Sequence, residues 1–95
     1  MVQIAPKFAE GWNKRATVHY LLQNYDESIE DIKSTLLLEP RHFGAISGLG
    51  LCYLAQKRYF EALQAYQDVL EVHPNLNGAK RNIQRIKNYL KKQAL

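Results

Sequence analysis

Tyr25-Asp26-Glu27-Ser28-Ile29 and, further on, Tyr59-Phe60-Glu61-Ala62-Leu63 open two stretches that run in the same register, each position matching the one numbered 34 higher. The first closes with Leu36 and Pro40, the second with Leu70 and Pro74, and no gap is needed to align them. A fixed period of this size is the signature of stacked helical units, each of which buries its apolar face on the next. The offset extends outward in both directions. Pro6 precedes Pro40 by the same interval, and Gly44-Ala45 pairs with Gly78-Ala79, so a further unit begins after Pro74 and ends after one helix's length of chain.

Helical spacing accounts for the apolar residues between these marks. Trp12, Ala16, Val18 and His19, then Tyr25, Ile29, Ile32 and Leu36, recur at mostly three- and four-residue intervals, which draws one stripe along each helix. Ala45, Leu49, Cys52 and Tyr53, then Tyr59, Leu63, Tyr66 and Leu70, repeat the pattern, and Ala79, Ile83, Ile86 and Leu90 form a fifth stripe. The reading is all-α: a superhelix of antiparallel helix hairpins with helices at about 8–22, 25–38, 43–55, 59–72 and 76–92. Gln23-Asn24 and Gln56-Lys57-Arg58 are connections short enough to force neighbouring helices antiparallel. Pro40 and Pro74 end the hairpins, because proline lacks an N–H donor and biases the preceding residue away from helical geometry. Asn75 is expected to cap the fifth helix. Gly50, opposite Ala62, is expected to let the second hairpin's helices approach closely, with Ala16 and Ser28 doing so in the first.

Ninety-five residues suffice for one small domain, which buries about two-thirds of its unfolded surface. No apolar run, neither Leu36 to Leu38 nor Leu51 to Ala55, approaches the roughly 20 residues that span a bilayer. No secretory signal is legible, so a cytoplasmic location is expected. The single cysteine, Cys52, reads as a packing residue. The net charge is +4, yet the stretch 77–95 holds six basic side chains and no acid, while the stretch 1–76 sums to −2. The basicity belongs to the last helix.

Leu49-Gly50, Tyr53, Ala62, Tyr66 and Pro74, together with the constant period, resemble the tetratricopeptide repeat. The resemblance implies repeat one over 9–42, repeat two over 43–76 and a closing helix over 77–95, within one domain spanning 1–95. Trp12, Ala16 and Pro40 fit the first repeat, whereas Arg15 and His19 stand where the second has Leu49 and Tyr53. Gly11 to Ala16 and Arg41 to Gly44 are similar to small bacterial members. Val2 and Ile4 resemble the last apolar positions of a helix that Pro6 ends, which implies a preceding unit or a second copy of the chain over the first helix.

In this family the first helix of each pair lines an inner groove that holds peptides or short helices, so the resemblance implies a non-enzymatic protein-interaction scaffold. Glu10, Asn13, Lys14, Thr17, Tyr20 and Leu21 would face the groove from the first helix. Ser47, Leu51 and Leu54 would face it from the third, with Gly44 and Gly48 leaving room for a backbone. Arg81 and Arg85, with Asn82, would add guanidinium groups suited to carboxylates. The expected partner is a protein or peptide that is acidic and carries an apolar anchor. Members that grip chaperone tails use Lys, Asn, Asn, Lys and Arg; the matching positions here are Asn13, Thr17, Gly48, Gly78 and Asn82. None agrees, so that clamp is not expected.

No cofactor, metal or catalytic residue is expected. His19, His42 and His73 have no ligand spacing, and no phosphate loop, cysteine pair or nucleophile elbow occurs. Glu27, Glu30 and Asp31 read as a solvated helix start that favours the positive end of the helix dipole. The alternative function is binding of nucleic acid or an acidic surface through the basic last helix, where Tyr89 alone could stack on a base.

Overall fold

The computed structural model describes residues 8–94. It contains five helices and no strand among them: α1 Ala9–Leu21, α2 Tyr25–Leu38, α3 Phe43–Ala55, α4 Tyr59–Val72 and α5 Asn77–Gln93. The expected boundaries hold to within one residue. The expected helix end over Val2 to Pro6 lies outside the described residues.

Both hairpin turns use one local device. Gln23 and Lys57, which occupy equivalent places in the two hairpins, adopt φ of 65° and 59°, the left-handed conformation that commonly closes a helix. Asn24 N–H donates to His19 O and Arg58 N–H to Tyr53 O, each at 2.8 Å, with Gln23 and Lys57 bonded to Tyr20 and Leu54 at 3.0 Å. These bonds satisfy carbonyls that the helix ends leave free. Side chains outside glycine rarely take this conformation, so the turn geometry is a product of the packed hairpin.

The hairpin-to-hairpin connections differ. His42 occupies the N-cap of α3, and its Nδ1 accepts from Ala45 N–H at 3.0 Å. Its Nε2 lies 3.4 Å from Glu10 Oε2, a contact that lowers the Glu10 pKa, with Asn13 adding to the effect. One imidazole thereby joins α1 to the start of α3. His42→Ala is expected to cost about 1 kcal/mol through the lost cap, read as a drop of roughly 4–8 °C in Tm; an unchanged Tm would deny the cap its role. Asn75 does not cap α5. Leu76 N–H bonds His73 O at 3.2 Å, a turn that puts Leu76 at the N-cap without a side-chain acceptor and leaves Asn75 one residue upstream.

The core has two clusters joined by Leu36 and Tyr53, which pack against both. One is centred on Ala16, Ile29, Ile32, Ala45 and Cys52 between the hairpins. The other gathers Ile46, Ala62, Tyr66 and Val69 with Ala79 and Ile86 of α5. Ser28 threads the first. Its hydroxyl donates to Ala16 O at 2.7 Å and accepts from Cys52 Sγ at 3.3 Å, so the three contact points of α1, α2 and α3 share one small polar side chain. Burial pushes the Cys52 thiol up, against the Ser28 contact, which keeps it protonated and unreactive at neutral pH.

Three expectations about the core change. Val18 is 53% exposed, because the counterpart of Cys52 on α1 has no earlier helix against it among the described residues. The close partner of Gly50 is Tyr66, whose Cζ would stand 2.7 Å from a Cβ there; the ring lies where Ala62 was expected. Asp31 is not part of a solvated helix start. It is 4% exposed, and its two oxygens accept from Arg15 Nε and Nη2 at 2.8 Å each, with His19 Nε2 3.8 Å away.

Candidate functional site

α1, α3 and α5 present a common side of the molecule, and two clefts open between them. The first, about 170 Å³, lies between α1 and α3 and is lined by Asn13, Thr17 and Tyr20 on one wall and Ser47 and Leu51 on the other. Gly44 and Gly48 border it, with Ala16, Ser28 and Ile32 beneath. These wall residues share helical spacings of three and four, so a single rotation of each helix brings them together.

The polar groups of this cleft differ in how far they are already committed. Asn13 Nδ2 donates to Glu10 Oε1 at 3.4 Å, and Thr17 Oγ1 donates to the Asn13 carbonyl at 3.1 Å. Glu10 is engaged by His42 and Asn13. Ser47 Oγ, by contrast, is shielded from water and has no hydrogen-bond partner. A buried hydroxyl in that condition costs about 1–3 kcal/mol until a partner arrives. Gly48 gives the space beside it: a Cβ there would meet only Ile32 Cδ1, at 3.5 Å.

The second cleft, about 250 Å³, lies among α3, α4 and α5 and is lined by Leu54, Tyr59, Asn82, Arg85, Ile86 and Tyr89. The Tyr59 and Tyr89 rings sit 4.6 Å apart at 38°. Desolvation raises the Tyr59 pKa, with the Tyr89 hydroxyl contributing. Beneath lies Tyr66, whose phenol burial pushes up to about 12 despite Asn82 beside it.

The expected groove residues therefore divide. Asn13, Thr17, Tyr20, Ser47 and Leu51 converge on the first cleft, and Leu54 and Arg85 on the second. Lys14 is exposed and lines neither, since it stands about 100° around α1 from Asn13. Leu21, 72% exposed, also lies outside both. Arg81 does not join Arg85; its Nη2 approaches Gly78, 4.0 Å from where a Cβ would stand. Tyr59 and Ile86 were not foreseen as cleft residues. Their signal in the sequence was core periodicity alone, which says nothing of an open side.

Among the described residues no group of three or more His, Cys, Asp and Glu could hold a metal ion, and no helix is long and apolar enough to cross a membrane. The tetratricopeptide-repeat family profile matches residues 44–76. A TPR repeat-containing protein of Rhizobium etli is 37% identical over 73 residues, covering 77% of this chain and 36% of the relative. The chain belongs to the tetratricopeptide-repeat family. The small glutamine-rich tetratricopeptide repeat-containing protein 2 of Saccharomyces cerevisiae is 34% identical over 71 residues, covering 75% of this chain and 20% of the relative. This tetratricopeptide-repeat chain thus spans about a third or less of those proteins' lengths. The first TPR of Spaghetti (RPAP3), solved bound to the HSP90 peptide SRMEEVD, superposes with a TM-score of 0.86 at 24% identity, covering 90% of this chain and 68% of that one. The two share the fold of stacked antiparallel helix hairpins.

Proposed function

We propose that the face formed by α1, α3 and α5 binds an extended peptide segment of a partner protein, with an apolar anchor and an acidic group. The observation that carries the reading is Ser47 Oγ, a buried hydroxyl without a partner at the wall of a cleft bordered by Gly44 and Gly48. A peptide backbone offers the missing hydrogen bond, and the two glycines remove the side chains that would hold it off. Leu51 and Leu54 supply apolar surface, and Arg85 supplies the fork for a carboxylate. Repeat one is taken as 9–42, repeat two as 43–76, and α5 as the closing helix.

The Spaghetti domain holds an acidic peptide, and this supports peptide binding as a use of the fold. The acidic group would be met differently here, since Asn13, Thr17, Gly48, Gly78 and Asn82 occupy the positions of the chaperone-tail clamp. Nucleic-acid binding through α5 is less favoured, because the Tyr89 ring is set against Tyr59 and is not a free stacking platform.

Panning a displayed peptide library on the chain tests the reading. Winners are expected to pair a large apolar residue with Asp or Glu. Arg85→Glu should lower their affinity roughly ten- to a hundredfold, as loss of a charge-assisted bidentate contact implies. Ser47→Ala should lower it about fivefold, for one neutral hydrogen bond. Unchanged affinity in all variants would defeat the proposal.

A further inference from the structure

On the opposite side of α3 from the peptide clefts, the seam of the second hairpin is open where that of the first is filled. Leu49 stands two residues, about 200° of helix rotation, from both Ser47 and Leu51. With Tyr53 and Ala65 it floors a notch of about 240 Å³, rimmed by Glu61, Gln64 and Asp68. A second hollow of about 330 Å³ shares Leu49 and Asp68 and continues past Leu36 and Ile46 to Glu71. The two make one groove along α4.

The shared register of the repeats shows what such a seam can hold. Leu49 corresponds to Arg15, Tyr53 to His19 and Ala65 to Asp31. In the first hairpin the Arg15 side chain crosses the seam to the Asp31 carboxylate, both nitrogen contacts at 2.8 Å. In the second hairpin Leu49 and Ala65 are too short to fill the same space. The carboxylates there lie one turn to either side of Ala65. Glu61 is paired with Arg58. Asp68 accepts from Gln64 at 2.8 Å but, like Glu71, forms no ion pair among the described residues. Arg41, at the far end, is the one cation among the residues lining the groove.

We infer that this groove is a second interaction surface, which takes an arginine or lysine from a basic segment of a partner protein. The aliphatic stem would lie on Leu49 and Ala65, beside the Tyr53 ring that the chain's own Arg58 covers at 4.6 Å, as amphipathic cationic side chains do on apolar surface, and the cation would reach Asp68 and Glu71. The rim excludes an acidic guest, which would face two unpaired carboxylates. Guanidinium fits better than ammonium, because it is planar, less strongly hydrated and able to bond two oxygens at once. The peptide face and this groove are then of opposite preference, one met by Arg85 and the other by carboxylates, so a scaffold of five helices can hold an acidic and a basic segment together.

The test titrates the isotope-labelled chain with the acetylated, amidated tripeptide Arg-Ala-Arg and with the same peptide carrying the neutral isostere citrulline. The arginine peptide is expected to move the amide signals of Leu49, Ala65 and Asp68 at low salt, and the citrulline peptide to leave them in place. Leu49→Arg with Ala65→Asp writes the first hairpin's ion pair into the second and fills the notch. That variant should fold, by its unchanged helical circular dichroism, and lose the response. Asp68→Asn with Glu71→Gln leaves the floor intact and should weaken binding by about fivefold or more, as loss of contacts to a charged group implies. Equal response to citrulline, no response at the notch, or a response that persists in both variants would overturn the inference. So would notch signals that shift with protein concentration alone, because the occupant would then be the cationic α5 of a second copy.

Discussion

Arg15→Leu is expected to lower the unfolding free energy by about 3 kcal/mol, the low end of the cost of leaving one member of a buried ion pair unpaired. The low end applies because the Arg15 side chain is 36% exposed, while that of Asp31 is 6% exposed. What remains after the substitution is a buried carboxylate with only His19, 3.8 Å away, to compensate it. Asp31→Ala should cost less, since Arg15 can swing its guanidinium into water. Combining the two places Leu and Ala where the second repeat has Leu49 and Ala65, and the double variant is expected to lose about 1 kcal/mol, less than Arg15→Leu alone, because no buried charge is left unpaired and the notch that remains opens to solvent as it does in the second repeat. Urea midpoints at constant slope measure all three. A double variant as unstable as the sum of its parts would show that the pair holds the first hairpin in a way that its repeat-two counterpart cannot. In a chain this small a loss of about 3 kcal/mol is a large part of the total, which is about 5–15 kcal/mol for a typical domain.

Gly50→Ala is the second large effect. The new methyl would stand 2.7 Å from Tyr66 Cζ and 2.9 Å from Cε1 and Cε2. Tyr66 is 2% exposed, so the ring has no open side to move into, and the helices of the hairpin must part instead. Overpacking of this kind costs about 1–3 kcal/mol. The first repeat indicates the remedy, because its corresponding pair is Ala16 and Ile32, one methyl larger on α1 and one ring smaller on α2. Gly50→Ala combined with Tyr66→Ile should therefore cost less than the sum of the single changes, with a coupling of about 0.5–3 kcal/mol. Strict additivity would mean that the glycine is not there for the ring.

These two pairs show how a repeat drifts without losing its fold. The two repeats build the seam differently: Arg15 with Asp31 fills it in one, whereas Leu49 with Ala65 leaves a notch in the other, and the close approach of the helices is made by Ala16 with Ile32 in one and by Gly50 with Tyr66 in the other. Both were legible at the right offset. Aligning Asp31 with Ala65 marks it as a core position, yet reading Glu27 to Asp31 as a local acidic run hides that. A local run describes composition along the chain, whereas burial depends on the one direction in which Asp31 points.

The candidate site was legible to the same degree. Asn13, Thr17, Tyr20, Ser47 and Leu51, which the family resemblance assigned to the groove, line the first cleft, and helical spacing keeps each set on one face of its helix. Lys14, Leu21 and Arg81 carry suitable chemistry but lie outside both clefts. Tyr59 and Ile86 enter the second cleft because α4 and α5 leave one edge of their contact open, which periodicity cannot register.

By itself the sequence determined the five helices, their pairing and their order, because these rest on short-range causes: three- and four-residue apolar spacing, turns too short to do anything but reverse the chain, and prolines that stop a helix wherever they stand. Only the tertiary structure decided that the Arg15 cation meets Asp31, that the Tyr66 ring covers Gly50 and that Ser47 is left without a partner. Each depends on how far one helix is rotated and displaced against another, and that is set by the packing of all five helices at once.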